Sequence, residues 1–348
     1  GAITASPAVN GINIAGGGAS PTMTVSNNFI SDLKAPLANS NDAIRGIAQL
    51  TSLATSTYNV WYNTIYLNAT STGANFGTTG VYSTTTGVST SANFVFRNNI
   101  VINESVANGT GLIACIRRSA AGFVNAGTWN NNVLWAGSTQ TSPRLLFYDG
   151  TAGGTQPTLT GYQTYSSREA ASLSARPTFV QEATAPYDLH LKPDFNCSFD
   201  NVGDNTGIGN NKDIDDDPRN TGTPNNITDI GADEFTASGS GAGVWRGVNT
   251  NWLDVNNWCG SIPTNTTDVT IPSGAPFYPI ITTATPVVRN ISVNAGGSIT
   301  VSGASGKLTI YGSITPGGTF DVGDGTIEMA GSVAQTIPAS TFLGDSIK

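Results

Sequence analysis

Few residues in this chain are of types that do chemistry. The only histidine, His190, sits in Asp188-Leu-His-Leu191, an alternating phrase that reads as a strand with the imidazole opposite the leucines. A face-packing or solvent-facing role fits that position, and no Ser/His/Asp or Cys/His constellation can be assembled around it. Aspartates crowd at Asp213, Asp215, Asp216 and Asp217. Counting from Asp213, an EF-hand needs Gly at its sixth position and Glu at its twelfth, but Pro218 and Pro224 stand there. A looser calcium site on Asp213, Asp215 and Asp217 is one reading, since Ca²⁺ takes many oxygen ligands. The other is a capping turn in which Arg219 pairs with a nearby carboxylate. Calcium is the only cofactor the sequence suggests.

Trp245, Trp252 and Trp258 cluster in a short polar segment. They are candidates for stacking on glycans, against a second reading in which they plug the open end of a hydrophobic core. Cys115, Cys197 and Cys259 lack zinc spacing and are too few for a disulfide framework. Either one pair bridges, with Cys197 and Cys259 the leading choice, or all three are buried thiols. In the first half of the chain the charges Asp32, Lys34, Asp42, Arg45, Arg97, Glu104, Arg117, Arg118, Arg144 and Asp149 put no two carboxylates at one phase of the repeat. A glycosidase needs two carboxyls roughly 5–10 Å apart, so this spacing argues against an enzyme. Arg117-Arg118 reads as a solvated strand end.

The elements that hold these residues announce themselves by repetition. An Asn, one residue and a large apolar residue recur at Asn27/Phe29, Asn63/Ile65, Asn98/Ile100 and Asn131/Val133, in steps of 36, 35 and 33 residues. A period of that length marks a stacked architecture. Each repeat divides into three strand-like pieces, as in Phe94–Asn98, Ile100–Ile102 and Gly111–Ile116. The parity places Phe94, Phe96, Asn98, Ile100 and Ile102 inward together. An inward Asn needs partners for its amide, and a column of Asn27, Asn63, Asn98 and Asn131 spaced about 4.8 Å per rung would supply them.

Composition agrees. Only 11% of the 348 residues are charged, against about 25% in an average domain, and 41 are glycine. The formal charge of −8 comes without a basic stripe, which disfavours nucleic acid. No apolar run is long enough to span a bilayer. A Ser/Gly/Ala stretch at 236–243 divides a β-helix at 1–235 from a β-rich module at 244–348. In that module short alternating pairs such as Ile291/Val293 and Leu308/Ile310 predict a smaller β-solenoid or sandwich. The fold expected is all-β: a right-handed parallel β-helix of four to six rungs, then that module. Both ends read as cut from a longer protein.

Asn98-Asn-Ile-Val-Ile-Asn103, Tyr187-Asp-Leu-His-Leu-Lys-Pro193, Asp213-Ile-Asp-Asp-Asp-Pro-Arg219 and Asp229-Ile-Gly-Ala-Asp-Glu-Phe235 occur in this order. Together they resemble the parallel β-helix domains of large secreted surface proteins of Bacteroidetes. Asp216 stands where that family usually has Gly, and the family's Ser-Pro-Ala-Ile-Asp phrase is absent. Trp245-Arg-Gly247, Asn257-Trp258 and Ile262-Pro263 look like the tandem β-rich modules that follow such helices. The resemblance implies an extracellular, cell-surface location and export by type IX machinery. Asp345-Ser-Ile347 looks like the short O-glycosylation phrase of these bacteria. The function it implies is non-enzymatic: an adhesin, stalk or filament segment whose partners are neighbouring modules or subunits and glycans. The alternatives are a polysaccharide lyase or glycoside hydrolase, or a glycan-binding module.

Overall fold

The structure is a computed structural model that describes residues 4–15, 22–50, 56–84, 93–121, 127–193, 195–219, 228–237 and 243–343. Asp345-Ser-Ile347 and most of the 236–243 stretch lie outside these residues. The chain forms two compact units, Gly1–Leu191 with Phe199–Phe235, and Lys192–Ser198 with Thr236–Lys348.

In the first unit β1 (Val9–Ile14) precedes a succession of coils. These are β2 (Thr22–Ser26), β3 (Phe29–Ile30) and β4 (Ser40–Gln49), then β5 (Thr57–Trp61), β6 (Thr64–Leu67) and β7 (Phe76–Ser83). They continue as β8 (Asn93–Arg97), β9 (Ile100–Asn103) and β10 (Ile113–Arg118), then β11 (Trp129–Asn130), β12 (Val133–Trp135) and β13 (Arg144–Tyr148). Every third strand pairs in parallel, giving sheets ordered β1-β4-β7-β10-β13, β2-β5-β8-β11 and β3-β6-β9-β12. This is a parallel β-solenoid. After β14 (Thr155–Gln156), helix α1 (Leu159–Ser166) starts at Thr158, whose hydroxyl accepts from the Gly161 N–H, and stops at left-handed Ser167. Its Tyr162 ring stacks on Phe147 at 4.6 Å and closes the last coil. The hairpin of β15 (Phe179–Gln181) and β16 (Asp188–Leu191) follows.

The asparagine column exists, one residue away from its expected place in three coils of four. Strand register aligns Asn28, Asn63, Asn99 and Asn132, because Phe29 pairs with Thr64, Thr64 with Ile100, and Ile100 with Val133. The Nδ2 of each donates to the Oδ1 of the next: Asn28 to Asn63 at 2.8 Å, Asn63 to Asn99 at 3.0 Å, Asn99 to Asn132 at 3.1 Å. The Oδ1 atoms also accept backbone N–H groups, Asn63 N on Asn99 and Asn99 N on Asn132. The Asn-x-apolar phrase misregisters the second coil. Asn27, Asn98 and Asn131 form the preceding column together with Tyr62, all at φ between 54° and 56°. Asn tolerates this left-handed geometry better than most residues.

That bend reverses the alternation. Phe94, Phe96 and Val101 face the solenoid interior, whereas Ile100 and Ile102 face outward, against Phe179, Leu189, Leu191, Phe199 and Ile230. The expected inward set of Phe94, Phe96, Asn98, Ile100 and Ile102 is therefore correct only before the bend. Asn98 turns outward too: its Nδ2 donates to Asp204 O, and its Oδ1 accepts the Asp204 N–H. The sheet β3-β6-β9-β12 is buried on both sides, inside by the core and outside by β15, β16, Phe199 and Ile230.

The second unit repeats the connectivity on a smaller scale. β17 (Val269–Ile271), β18 (Ile280–Ile281) and β19 (Val287–Val288) form one coil, and β20 (Ile291–Val293), β21 (Ser298–Val301) and β22 (Lys307–Ile310) the next. β23 (Ile314–Pro316), β24 (Thr319–Asp321) and β25 (Thr326–Met329) complete three small parallel sheets. Lys192–Ser198 belongs here because Cys197 is disulfide-bonded to Cys259 and Arg246 Nε donates to Phe195 O. Cys115 is a buried free thiol whose pKa burial pushes up.

The ladder ends on Glu169. This fully buried carboxyl accepts from Asn132 Nδ2 and Ser172 Oγ on Oε2, while Oε1 has no partner among the described residues. Burial, only partly offset by those bonds, raises its pKa to about 7. Two predictions follow from the column. Asn99→Ala orphans several buried groups at about 1–3 kcal/mol each, so denaturant unfolding will register a loss of roughly 3 kcal/mol, clearly more than for half-buried Asn28→Ala; equal losses would refute the ladder. A raised carboxyl pKa contributes stability present below the unfolded value near 4.3 and lost as pH rises through the folded one. Melting curves should therefore fall between about pH 4.5 and 8, and Glu169→Gln should flatten that fall by about 3 kcal/mol. Parallel curves for the two proteins would show that Glu169 ionises freely.

Candidate functional site

The outer face of β4, β7, β10 and β13 carries an open groove of about 580 Å³, lined by residues that include Asp42, Arg45, Tyr82, Arg117, Tyr148 and Asp149. Register aligns Tyr82 with Arg117 and Arg117 with Tyr148, so ring and cation alternate across β7, β10 and β13. Arg45 lies 3.5 Å over the Tyr82 ring, and Arg117 5.0 Å over that of Tyr148. Asp42 ties three coils. Its Oδ2 accepts from Arg45 Nε at 2.9 Å and Nη2 at 2.6 Å, and its Oδ1 accepts from Thr79 Oγ1 at 2.6 Å with Arg117 Nη1 3.8 Å away. Asp149 accepts from the Thr151 N–H and hydroxyl and from Tyr165 OH.

Two sequence expectations change here. Asp42 and Asp149, which share no phase of the repeat, line one groove. Arg117-Arg118 is not a solvated strand end: Arg118 is 2% exposed, its pKa lowered to about 10 by burial, and Arg117 crosses the groove. One-dimensional phase missed this because Asp42 lies near the start of β4 and Asp149 just past the end of β13, and only the stacking of strands brings both to one groove.

A second cluster gathers around His190 in β16. Nδ1 hydrogen-bonds the Asp188 carboxylate and Nε2 meets Asp215 Oδ2 at 2.6 Å, with the Phe29 ring edge-on at 4.9 Å. Partial burial opposes the charge, but these carboxylates and Asp233 hold the imidazole above its ordinary range. The aspartate loop opposite is organised by Asp213, which is buried. Its Oδ1 accepts the Asp215 and Asp217 N–H groups and its Oδ2 that of Glu234. Of the calcium candidates Asp213, Asp215 and Asp217, then, Asp213 is committed to the backbone and Asp215 turns to His190. Asp216, standing where glycine is usual, takes the left-handed φ of 68° that such a turn needs. Arg219 does cap the turn: its side chain is buried, donating to Glu234 Oε2, Asn27 Oδ1 and the carbonyls of Lys212, Gly231 and Ala232, and stacked 3.9 Å from the Tyr62 ring.

Trp245, Trp252 and Trp258 are 0%, 2% and 2% exposed. Their rings meet one another at 4.6–6.2 Å, and the Trp245 and Trp258 indoles donate to the carbonyls of Phe277 and Trp252. The faces expected to stack on glycans are spent on the core with Val269, Ile271 and Ile291, so the plug is the reading the structure supports.

Residues 244–335 match the family described as "Domain of unknown function (DUF8693)". The match opens at Val244, beside the first tryptophan, and takes in every strand of the second unit. No curated protein and no solved structure matches the chain.

Because Arg45 is only 7% exposed, removing its counter-charge strands a buried cation, a change that typically costs 3–5 kcal/mol. Asp42→Ala should lower unfolding stability by about 3 kcal/mol, whereas Asp32→Ala, whose partner Lys34 is exposed, should cost far less; equal losses would overturn the assignment of Asp42 as the tie.

Proposed function

We propose that this chain is a structural or adhesin segment of a large secreted surface protein, of the type IX cargo kind found in Bacteroidetes. It extends from the cell and contacts glycans or neighbouring subunits along one side of its solenoid. The observation that carries this is the asymmetry of the first unit. One sheet is covered by Phe179, Leu189, Leu191, Phe199 and Ile230, while β4, β7, β10 and β13 present an open groove lined with arginine, tyrosine and asparagine. A solenoid suits a spacer, since each coil contacts only its neighbours and length is added freely. The Cys197–Cys259 bridge supports an extracellular location, where disulfides persist.

The competing reading is a polysaccharide lyase or glycoside hydrolase, and the shared groove of Asp42, Asp149 and Arg117 is what favours it. Both carboxylates are already engaged by arginine, hydroxyl or backbone donors within the chain, an arrangement suited to structural anchors. One experiment separates the two: incubate the purified chain with neutral and acidic polysaccharides, measuring retention and product release together. The expected result is retention without release, weakened about tenfold by Arg117→Ala, as loss of one charged hydrogen bond would do. Release of shortened or unsaturated sugars would establish the enzyme, and no retention of any polysaccharide would leave subunit contact as the groove's role.

A further inference from the structure

We propose that His190, Asp215 and Asp233 bind a divalent transition metal of the zinc or manganese class. One ligand atom from each lies within 4.8 Å of the other two. Bonds of about 2.0–2.2 Å to nitrogen and oxygen would draw such a trio around one ion with small side-chain movements. The 2.6 Å contact between His190 Nε2 and Asp215 Oδ2 marks where the ion would displace a proton.

Three features make this more than a group of acids. First, Asp188 holds Nδ1, leaving Nε2 as the outward ligand atom; a carboxylate behind a metal-binding histidine fixes its tautomer and raises its basicity. Second, the backbone anchors the carboxylates: the Leu191 N–H binds Asp233 Oδ2 at 2.8 Å, and the Asp215 N–H binds Asp213 Oδ1 at 2.9 Å. Third, Asp233 is only 6% exposed, and the Leu191 N–H takes its Oδ2, leaving Oδ1 available as a ligand atom. A carboxylate drawn this far from water is stabilised by a nearby cation. Asp188, Asp215 and Asp233 surround one imidazole, so the cluster carries more negative charge than its single base can neutralise. The His190 and Asp215 side chains are 34% and 53% exposed, which leaves an entry path from solvent.

The donor set selects the ion. Calcium takes six to eight oxygens, and Asp213, the natural extra ligand, has both oxygens bound to backbone N–H groups. One imidazole with two carboxylates suits zinc or manganese, with water completing the shell.

The test is calorimetric titration of the chelator-treated, tag-free chain with Zn²⁺, Mn²⁺ and Ca²⁺ in turn, alongside thermal unfolding. The expected result is one site for zinc or manganese. His190→Gln and Asp215→Asn should each weaken it at least tenfold. Asp188→Asn, a positioning change, should weaken it by about 10–100-fold while leaving one site. Both His190 and Asp215 are partly exposed, so the variants should unfold near the temperature of the metal-free parent, and a folding failure in one leaves the other to decide. No zinc or manganese binding, undiminished binding in both ligand variants, or calcium binding that survives His190→Gln would each overturn the proposal.

Discussion

A column of amide side chains sets the geometry of the first unit. A solenoid turns a corner in every coil, and each corner strands backbone groups that no sheet hydrogen bond reaches. Asn28, Asn63, Asn99 and Asn132 answer that need collectively. Each Nδ2 reaches the Oδ1 of the next coil and also serves a carbonyl two residues back, as Asn63 does for Trp61 and Asn99 for Arg97. Once one coil is in register the next has little freedom, because a slip of one residue would break the column and exchange the two faces of the strand. The column must still end. Ser172 receives the last N–H and buried Glu169 the last Nδ2, so the stop is itself polar and sensitive to protonation.

The left-handed residue beside each ladder amide has a wider effect. By reversing the strand parity it turns Ile100, Ile102 and Val133 outward, and this second apolar face has to be covered. β15, β16 and described residues between Phe199 and Phe235 do so, with polar side chains seating them: Tyr62 on Asn205, Arg97 on the Asp204 and Thr206 carbonyls, Asn131 on Val202, and Arg219 on Asn27. The loop that reads as acidic and open is thus the lining of a lid fixed to the solenoid. His190 and its carboxylates lie on that lid. The groove lies on the long sheet, whose cation–ring column decorates a rigid strand surface.

The second unit solves its own end problem differently. Three tryptophans close the coil with bulk, and two of their indoles find carbonyl acceptors, which makes a large buried ring tolerable. The disulfide adds a constraint across 62 residues of chain.

The sequence alone determined the class of architecture. Alternation, glycine-rich turns and a repeat near 35 residues indicate stacked short strands in the first unit, while in the second the spacing fitted both a solenoid and a sandwich. It also identified the amide column as a scaffold device and the tryptophans as candidates for a plug. Tertiary structure decided the rest, for two reasons. Asn63 and Asn27 look equivalent in a one-dimensional phrase, but inter-strand hydrogen bonds put them in different columns. And the groove and the His190 cluster join residues from distant segments, such as Asp42 with Asp149, or His190 with Asp215 and Asp233, whose proximity depends on where each coil returns and where the lid settles. Local spacing carries no record of that, because the register between coils is set by pairing in space.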